Sequence, residues 1–194
     1  MNVDTDDLSR RWRQSWPDCP PLGHVFRRRM PERWVRFHTL ASGGRYPTTP
    51  AEYIEVLHRY NAVLSALLDE SGSAAIYLIT VEYGPGDSAA GTEPVNVGLH
   101  SGAQPWMRVP DPADHELTYL VHVSGEGFAP GVLDDLFRYV AEDRTSDVVV
   151  ADESLCRLFH PYDGGMDVIA ASTAERNGLA ARFASWRSDR PDGL

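Results

Sequence analysis

The sequence predicts an α+β fold: a single domain spanning residues 1–194, built on a mostly antiparallel sheet with about four helices packed on one of its faces. Three observations point there. Period-two segments at Trp34 to Leu40 and Glu116 to Val123 interleave with amphipathic helical segments, without the regular spacing of a doubly wound sheet. Asp163-Gly164-Gly165 is a hairpin signal between two apolar runs, and hairpins join antiparallel neighbours. At 42% apolar and 24% charged residues, the chain can bury a core without disulfide or metal staples.

Residues 1–30 read as an N-terminal arm carrying one helix, Asp6 to Trp16. Leu8, Trp12 and Trp16 fall on one face of that helix, and Pro17 and Pro20-Pro21 bound it. It either docks on the rest or frays. Trp34 to Leu40 is a strand, with Trp34, Arg36, His38 and Leu40 on one face and Val35, Phe37 and Thr39 on the other. A long helix follows the next turn. Thr49 is its N-cap, Pro50 its first residue and Glu52 the partner that completes a capping box. Its predicted apolar stripe is Ile54, Leu57, Asn61, Leu64 and Leu68. Asn61 is the anomaly, because an amide on an apolar face must find hydrogen-bond partners. It either pins a neighbouring loop or belongs to a site.

Ala75 to Tyr83 is β-branched and aromatic, a central strand. Residues 84–114, rich in Gly, Pro, Asp and Ser, form a long irregular loop or flap, with Val95 to Val97 and Trp106 to Val109 as possible short strands. Pro130 to Glu142 is a helix with Leu133, Leu136, Phe137 and Val140 along its stripe. Asp147 to Ala151 and Leu155 to Phe159 are strands, and Asp167 to Ala170 returns from the glycine hairpin. Ser172, with Glu175 three residues on, opens a last helix carrying Leu179, Phe183 and Trp186.

Composition excludes several chemistries. All 18 basic residues are arginine, so there is no Schiff-base lysine, phosphate-loop lysine or Ser-Lys dyad. Neither a Gly-x-Ser-x-Gly elbow nor a Gly-x-Gly-x-x-Gly fingerprint occurs. No apolar run is long enough to span a bilayer, and the acidic start Met1 to Asp7 is unlike a signal peptide. The expected address is the cytoplasm, with no membrane contact. Cys19, beside two prolines, is expected exposed; Cys156, inside a predicted strand, is expected buried and inert.

The net charge of −10 is uneven, +4 over residues 1–45 and −14 over the rest. So acidic a body repels phosphate backbones, and no nucleic-acid ligand is expected. The Arg27-Arg28-Arg29 run is either a solvated face or a contact for an anion or acidic partner. His38, His160, Asp163 and Asp167 are metal-ligand types, but no His-x-x-x-His or Cys-x-x-Cys spacing arranges them. No metal and no cofactor is expected.

Two blocks of the chain carry a resemblance. Trp34 to His38 with Arg45-Tyr46-Pro47, Glu52-Tyr53 and Arg59-Tyr60-Asn61 forms one; His160-Pro161-Tyr162-Asp163-Gly164-Gly165-Met166-Asp167 with Trp186 to Leu194 forms the other. Together they resemble an uncharacterised bacterial family of small proteins, common in actinobacteria and other high-GC genomes. The second block is also similar to a short domain of unknown function whose members carry Tyr-Asp-Asp-Arg-Gly where this chain has Tyr162-Asp163-Gly164-Gly165. The resemblance implies a compact bacterial protein and transfers no catalytic residue.

One polar cluster is left as the candidate site: Arg36, His38, Arg45, Asn61, His160, Tyr162, Asp163 and Asp167. Arginines in such a set could grip a carboxylate or phosphate, and a His–Asp pair could move protons. The same residues could equally be an internal brace tying the two blocks together. Two functions are therefore carried forward. The first is an acidic binding protein of the immunity type that neutralises a basic protein partner, as charge complementarity would favour. The second is a small enzyme or ligand-binding protein that uses the cluster under a lid formed by residues 84–114.

Overall fold

The computed structural model describes residues 3–41, 44–70, 72, 74–85, 100, 102–111, 114, 116–145 and 147–188. Seven strands form one sheet: β1 (Trp34–His38), β2 (Ala75–Pro85), β3 (Gln104–Pro110), β4 (Leu117–Gly127), β5 (Val149–Asp152), β6 (Leu158–Tyr162) and β7 (Gly165–Ile169). Their order is β1-β7-β6-β5-β2-β4-β3, and every neighbouring pair is antiparallel. Five helices accompany it: α1 (Thr5–Ser15), α2 (Gly23–Arg29), α3 (Pro50–Asp69), α4 (Asp134–Ala141) and α5 (Thr173–Arg182), with a 3-10 turn at Ala184–Trp186. The α+β class is as the sequence predicts.

Helices cover both faces of the sheet, not one. Strand alternation sends Val35, Phe37, Ile76, Leu78, Val150, Phe159, Met166 and Val168 into one core under α3, α4 and α5. Ile79, Val81, Val121, Val123, Val149, Leu158 and Ile169 point the other way, into a second core closed by α1 and α2. The helix α2 is the element that sequence reasoning missed. It is seven residues long, ends in three arginines and has no side-chain cap, so neither length nor patterning announces it.

The first helix docks. Asp4 caps it, and Leu8, Trp12 and Trp16 are buried. The Trp12 Nε1 donates to the Cys19 carbonyl at 2.8 Å and the Trp16 Nε1 to the Leu155 carbonyl at 2.7 Å, so both indoles are satisfied where they are buried. Trp106 packs edge-on against Trp12, centroids 5.4 Å apart, and donates to Ser9 at 2.9 Å.

In α3 the capping box forms as expected. Its buried face is Val56, Leu57, Tyr60, Val63, Leu64, Leu67 and Leu68, whereas Ile54 is 67% exposed. The predicted stripe thus began on the wrong residue. Ile54 sits in the first turn, ahead of the point where α3 meets the sheet.

Around the hairpin, β6 starts three residues later than predicted. Leu155 takes a left-handed φ of 57° in the turn before it, and Cys156 lies outside the strand. The two cysteines exchange their expected environments: Cys156 is exposed and Cys19 is buried. Residues 84–114 contain the end of β2 and the whole of β3, so Trp106 to Val109 is a strand. Residues 86–99, with Val95 to Val97 among them, and residues 101, 112 and 113 lie outside the described residues, as does the chain end from residue 189.

Candidate functional site

The register of β1, β7 and β6 decides which polar side chains meet. Arg36 is paired with Asp167, and Asp167 with His160, so the three stand in one row across neighbouring strands. The next row holds His38, Gly165 and Tyr162. These side chains share the sheet face that α1 and α2 cover.

In the first row the Arg36 guanidinium bonds Asp167 through both branches, Nε to Oδ1 at 2.7 Å and Nη2 to Oδ2 at 3.0 Å. The Asp167 side chain is 6% exposed. Aromatic rings flank the guanidinium, with Tyr162 at 5.0 Å and Trp34 at 5.5 Å from centroid to Cζ. Burial, reinforced by the Asp167 carboxylate, pushes the Tyr162 phenol far above its ordinary range, so it stays protonated. The phenol lies over Gly165, where a Cβ would come within 2.5 Å of its oxygen. From the opposite face the Tyr60 hydroxyl donates to the Tyr162 carbonyl at 2.7 Å, tying α3 to the same hairpin.

His160 is buried beside this pair. Its Nδ1 lies 2.8 Å from the Val148 carbonyl, which assigns the proton to Nδ1 and leaves Nε2 as an acceptor when the ring is neutral. The backbone of α2 crosses directly over the ring, so closely that a Cβ on Gly23 would sit 2.2 Å from Cε1 and Nδ1. Next along α2, His24 meets Asp147, Nδ1 to Oδ1 at 3.3 Å. The Asp147 hydrogen bond holds the His24 pKa above its ordinary value. Burial works to raise Asp147, but the bond from His24 and the nearby His160 outweigh it and leave the carboxyl lowered.

The remaining candidates stand outside the first row. Arg45 pairs with Asp163 at the exposed tip of the hairpin, where Gly164 takes a φ of 85° and its missing Cβ would meet the Arg45 Cα at 3.1 Å. His38 closes β1, its carbonyl accepting from Arg59 Nη1 at 3.1 Å. Asn61 is on the other side of the sheet. Its amide donates to the Leu57 carbonyl at 2.9 Å and Asp134 at 2.7 Å, and its oxygen accepts from the Gly131 N–H at 2.8 Å. It pins the entry of α4. Five of the eight residues, Arg36, His38, His160, Tyr162 and Asp167, thus share one face in two rows; Arg45 and Asp163 form a separate pair, and Asn61 stands apart.

A second polar network lies outside the cluster singled out from the sequence. Thr80 Oγ1 and His100 Nδ1 are 2.8 Å apart, His100 Nε2 and Ser124 Oγ are 2.8 Å apart, and Ser124 donates to Glu126 Oε1 at 2.8 Å. His100 is 2% exposed, and burial first, then neighbouring His122, lowers its pKa to about 4. Alternation of His122, Ser124 and Glu126 along β4, with Thr80 of β2 opposite His122, is the signal that could have found it. Among the described residues no three His, Cys, Asp or Glu side chains are grouped to hold a metal ion, and no helix is long and apolar enough to cross a membrane.

Fold and site together define a class: an antiparallel, single-sheet α+β protein whose first strand is locked to its late glycine hairpin by a part-buried arginine–aspartate pair. The chain belongs to the family described as Domain of unknown function (DUF3885), whose model matches residues 22–191. That range runs from the N-cap of α2 through the hairpin and past α5. No curated protein and no solved structure matches the chain.

Proposed function

We propose that this protein is a cytoplasmic, single-domain binding protein of the immunity type, which captures and neutralises a basic protein partner through an acidic surface. The observation that carries this reading is the surface at the start of α3. Ile54 is 67% exposed there and Tyr46 46% exposed; among the described residues Val132, at 54%, is the other large apolar side chain this open. Two tyrosines of this region meet carboxylates, the Tyr53 hydroxyl donating to Glu142 at 3.2 Å and the Tyr46 hydroxyl lying 3.5 Å from Asp143, while Arg138 lies over the Tyr53 ring and Arg45 over the Tyr46 ring. Exposed aromatic and aliphatic anchors inside a charged rim are the ordinary makeup of a protein interface. The net −14 over residues 46–194 would speed the approach of a cationic partner.

The Arg36 cluster supports the same reading as a brace. Arg36 spends both guanidinium branches on Asp167, and His160 spends Nδ1 on a backbone carbonyl. Its service is to hold the hairpin tip, with Arg45 and Asp163, beside the Tyr46 surface.

Affinity capture with the purified protein, followed by identification of retained proteins, tests the proposal. The expected result is one basic protein retained at low salt, lost at high salt, and lost at low salt from an Ile54→Arg, Asp143→Arg variant. Failure to enrich a basic protein, or equal capture by the variant, overturns it.

A further inference from the structure

The Arg27-Arg28-Arg29 run divides its work. Arg27 lies over the Trp34 ring at 5.9 Å, while Arg28 and Arg29 line a cleft between α2 and the β3–β4 pair. The cleft has a volume of about 640 Å³, within the size range of small-molecule sites. Its walls are mostly apolar: Pro20, Leu22 and Val25 on one side, Val109 and Pro110 on the other. Polar groups gather on the rim, His24, Arg28 and Arg29 from α2 and Asp111 with Tyr119 opposite. The Asp111 carboxylate accepts the Tyr119 hydroxyl, and the Tyr119 ring lies 6.0 Å from the His24 ring. No ion pair among the described residues joins Arg28 or Arg29 to a carboxylate.

We propose that this cleft binds a small organic anion, a carboxylate or phosphate monoester with an apolar body: Arg28 and Arg29 take the head and the Pro20, Leu22, Val25, Val109 and Pro110 walls take the body. The charge pattern argues for it. In a chain of net charge −10, Arg28 and Arg29 stand at an apolar cleft with no carboxylate paired to them among the described residues, while the Asp111 carboxylate opposite accepts the Tyr119 hydroxyl and His24 is held by Asp147. Guanidinium groups recognise carboxylate and phosphate oxygens in planar, two-point contacts. The cleft is a different surface from that around Tyr46 and Ile54, and the inference stands whether or not a protein partner exists.

Calorimetric titration of the full chain with four probes tests it: phenyl phosphate, phenylacetate, inorganic phosphate and benzyl alcohol. Saturable binding is expected for at least one of the first two, at least tenfold tighter than for inorganic phosphate and benzyl alcohol; the tighter of the two identifies the head group. An Arg28→Gln, Arg29→Gln variant, changed only at exposed positions, should weaken that binding at least tenfold, and Val109→Trp, which fills the cleft, should abolish it. The proposal falls if neither organic anion binds, if benzyl alcohol or inorganic phosphate binds as tightly, or if the two-arginine variant and the filled cleft bind like the parent. Nuclear magnetic resonance shifts at Val25 and Val109 on adding the bound probe place it; shifts confined to other residues also overturn the proposal.

Discussion

Arg36 of β1 and Asp167 of β7 are register partners, and two hydrogen bonds of 2.7 and 3.0 Å join their side chains across the strand pair. The pair links two segments more than a hundred residues apart in sequence, at the edge of the sheet. Breaking a largely buried ion pair by removing one partner costs about 3–5 kcal/mol, the lower end applying where one partner reaches solvent. Asp167→Ala should therefore lower stability by roughly 3 kcal/mol in urea unfolding. Because Arg36 is partly exposed, the combined Arg36→Met, Asp167→Leu variant should recover most of that loss. A single variant as stable as the parent would show that the pair contributes nothing.

A second expectation concerns the contact of α2 with His160. A Cβ on Gly23 would lie 2.2 Å from the imidazole, which is itself held to Val148. Gly23→Ala is expected to destabilise by about 2 kcal/mol through overpacking. In a His160→Ala background the same change should cost much less, because the ring it strikes is gone. A double-mutant cycle in thermal or urea unfolding measures the difference. Equal costs in both backgrounds would mean that α2 can move aside freely.

Much of this arrangement was legible in the sequence, for a physical reason. The alternation of Trp34 to His38 and the Asp163-Gly164 turn are local signals, and sheet pairing needs only that the two strands present compatible faces. Residue type and period placed Arg36 and Asp167 in one candidate cluster, whereas the register that pairs them is set by how β1 docks on β7. Asn61 takes the loop-pinning alternative and not the site, and which loop it pins was not legible because its partners Asp134 and Gly131 are set by how α4 docks. His24, Asp147 and the cleft were missed because they depend on α2, whose seven residues carry no cap or stripe. The His100 network is non-local too, joining β2, β4 and the segment between β2 and β3.

The thiols make a quick check of this packing. Cys19 is buried, and burial raises its pKa to about 11, while Cys156 is exposed. The thiolate is the reactive form, so a disulfide reagent near pH 8 should modify one thiol per folded chain rapidly and the second only on unfolding. Mass mapping should place the fast label on Cys156. Two fast thiols, or a fast Cys19, would show that the α1–α2 layer is open.

The buried imidazole of His100 sets the acid side of the stability profile. Its pKa is about 4 in the folded chain against 6.5 when exposed. Between those values the unfolded chain binds more protons at this site than the folded one, so stability rises with pH across the window and is lost on acidification from 6.5 towards 4. A shift of that size corresponds to a loss on the order of 3 kcal/mol. His24 has the opposite sign: its folded pKa is raised by Asp147, so its contribution is complete below 6.5 and fades as the pH rises through its folded value. Asp147 is lowered from 3.8, and its contribution fades only as the pH falls below that value. The window from 6.5 to 4 therefore separates His100 from both. Urea titrations through it should show a falling midpoint for the parent and a flatter profile for His100→Gln, whose amide does not titrate there. The same acid slope in parent and variant would assign the proton uptake to other groups and place His100 in a wetter setting than the Thr80 and Ser124 contacts describe.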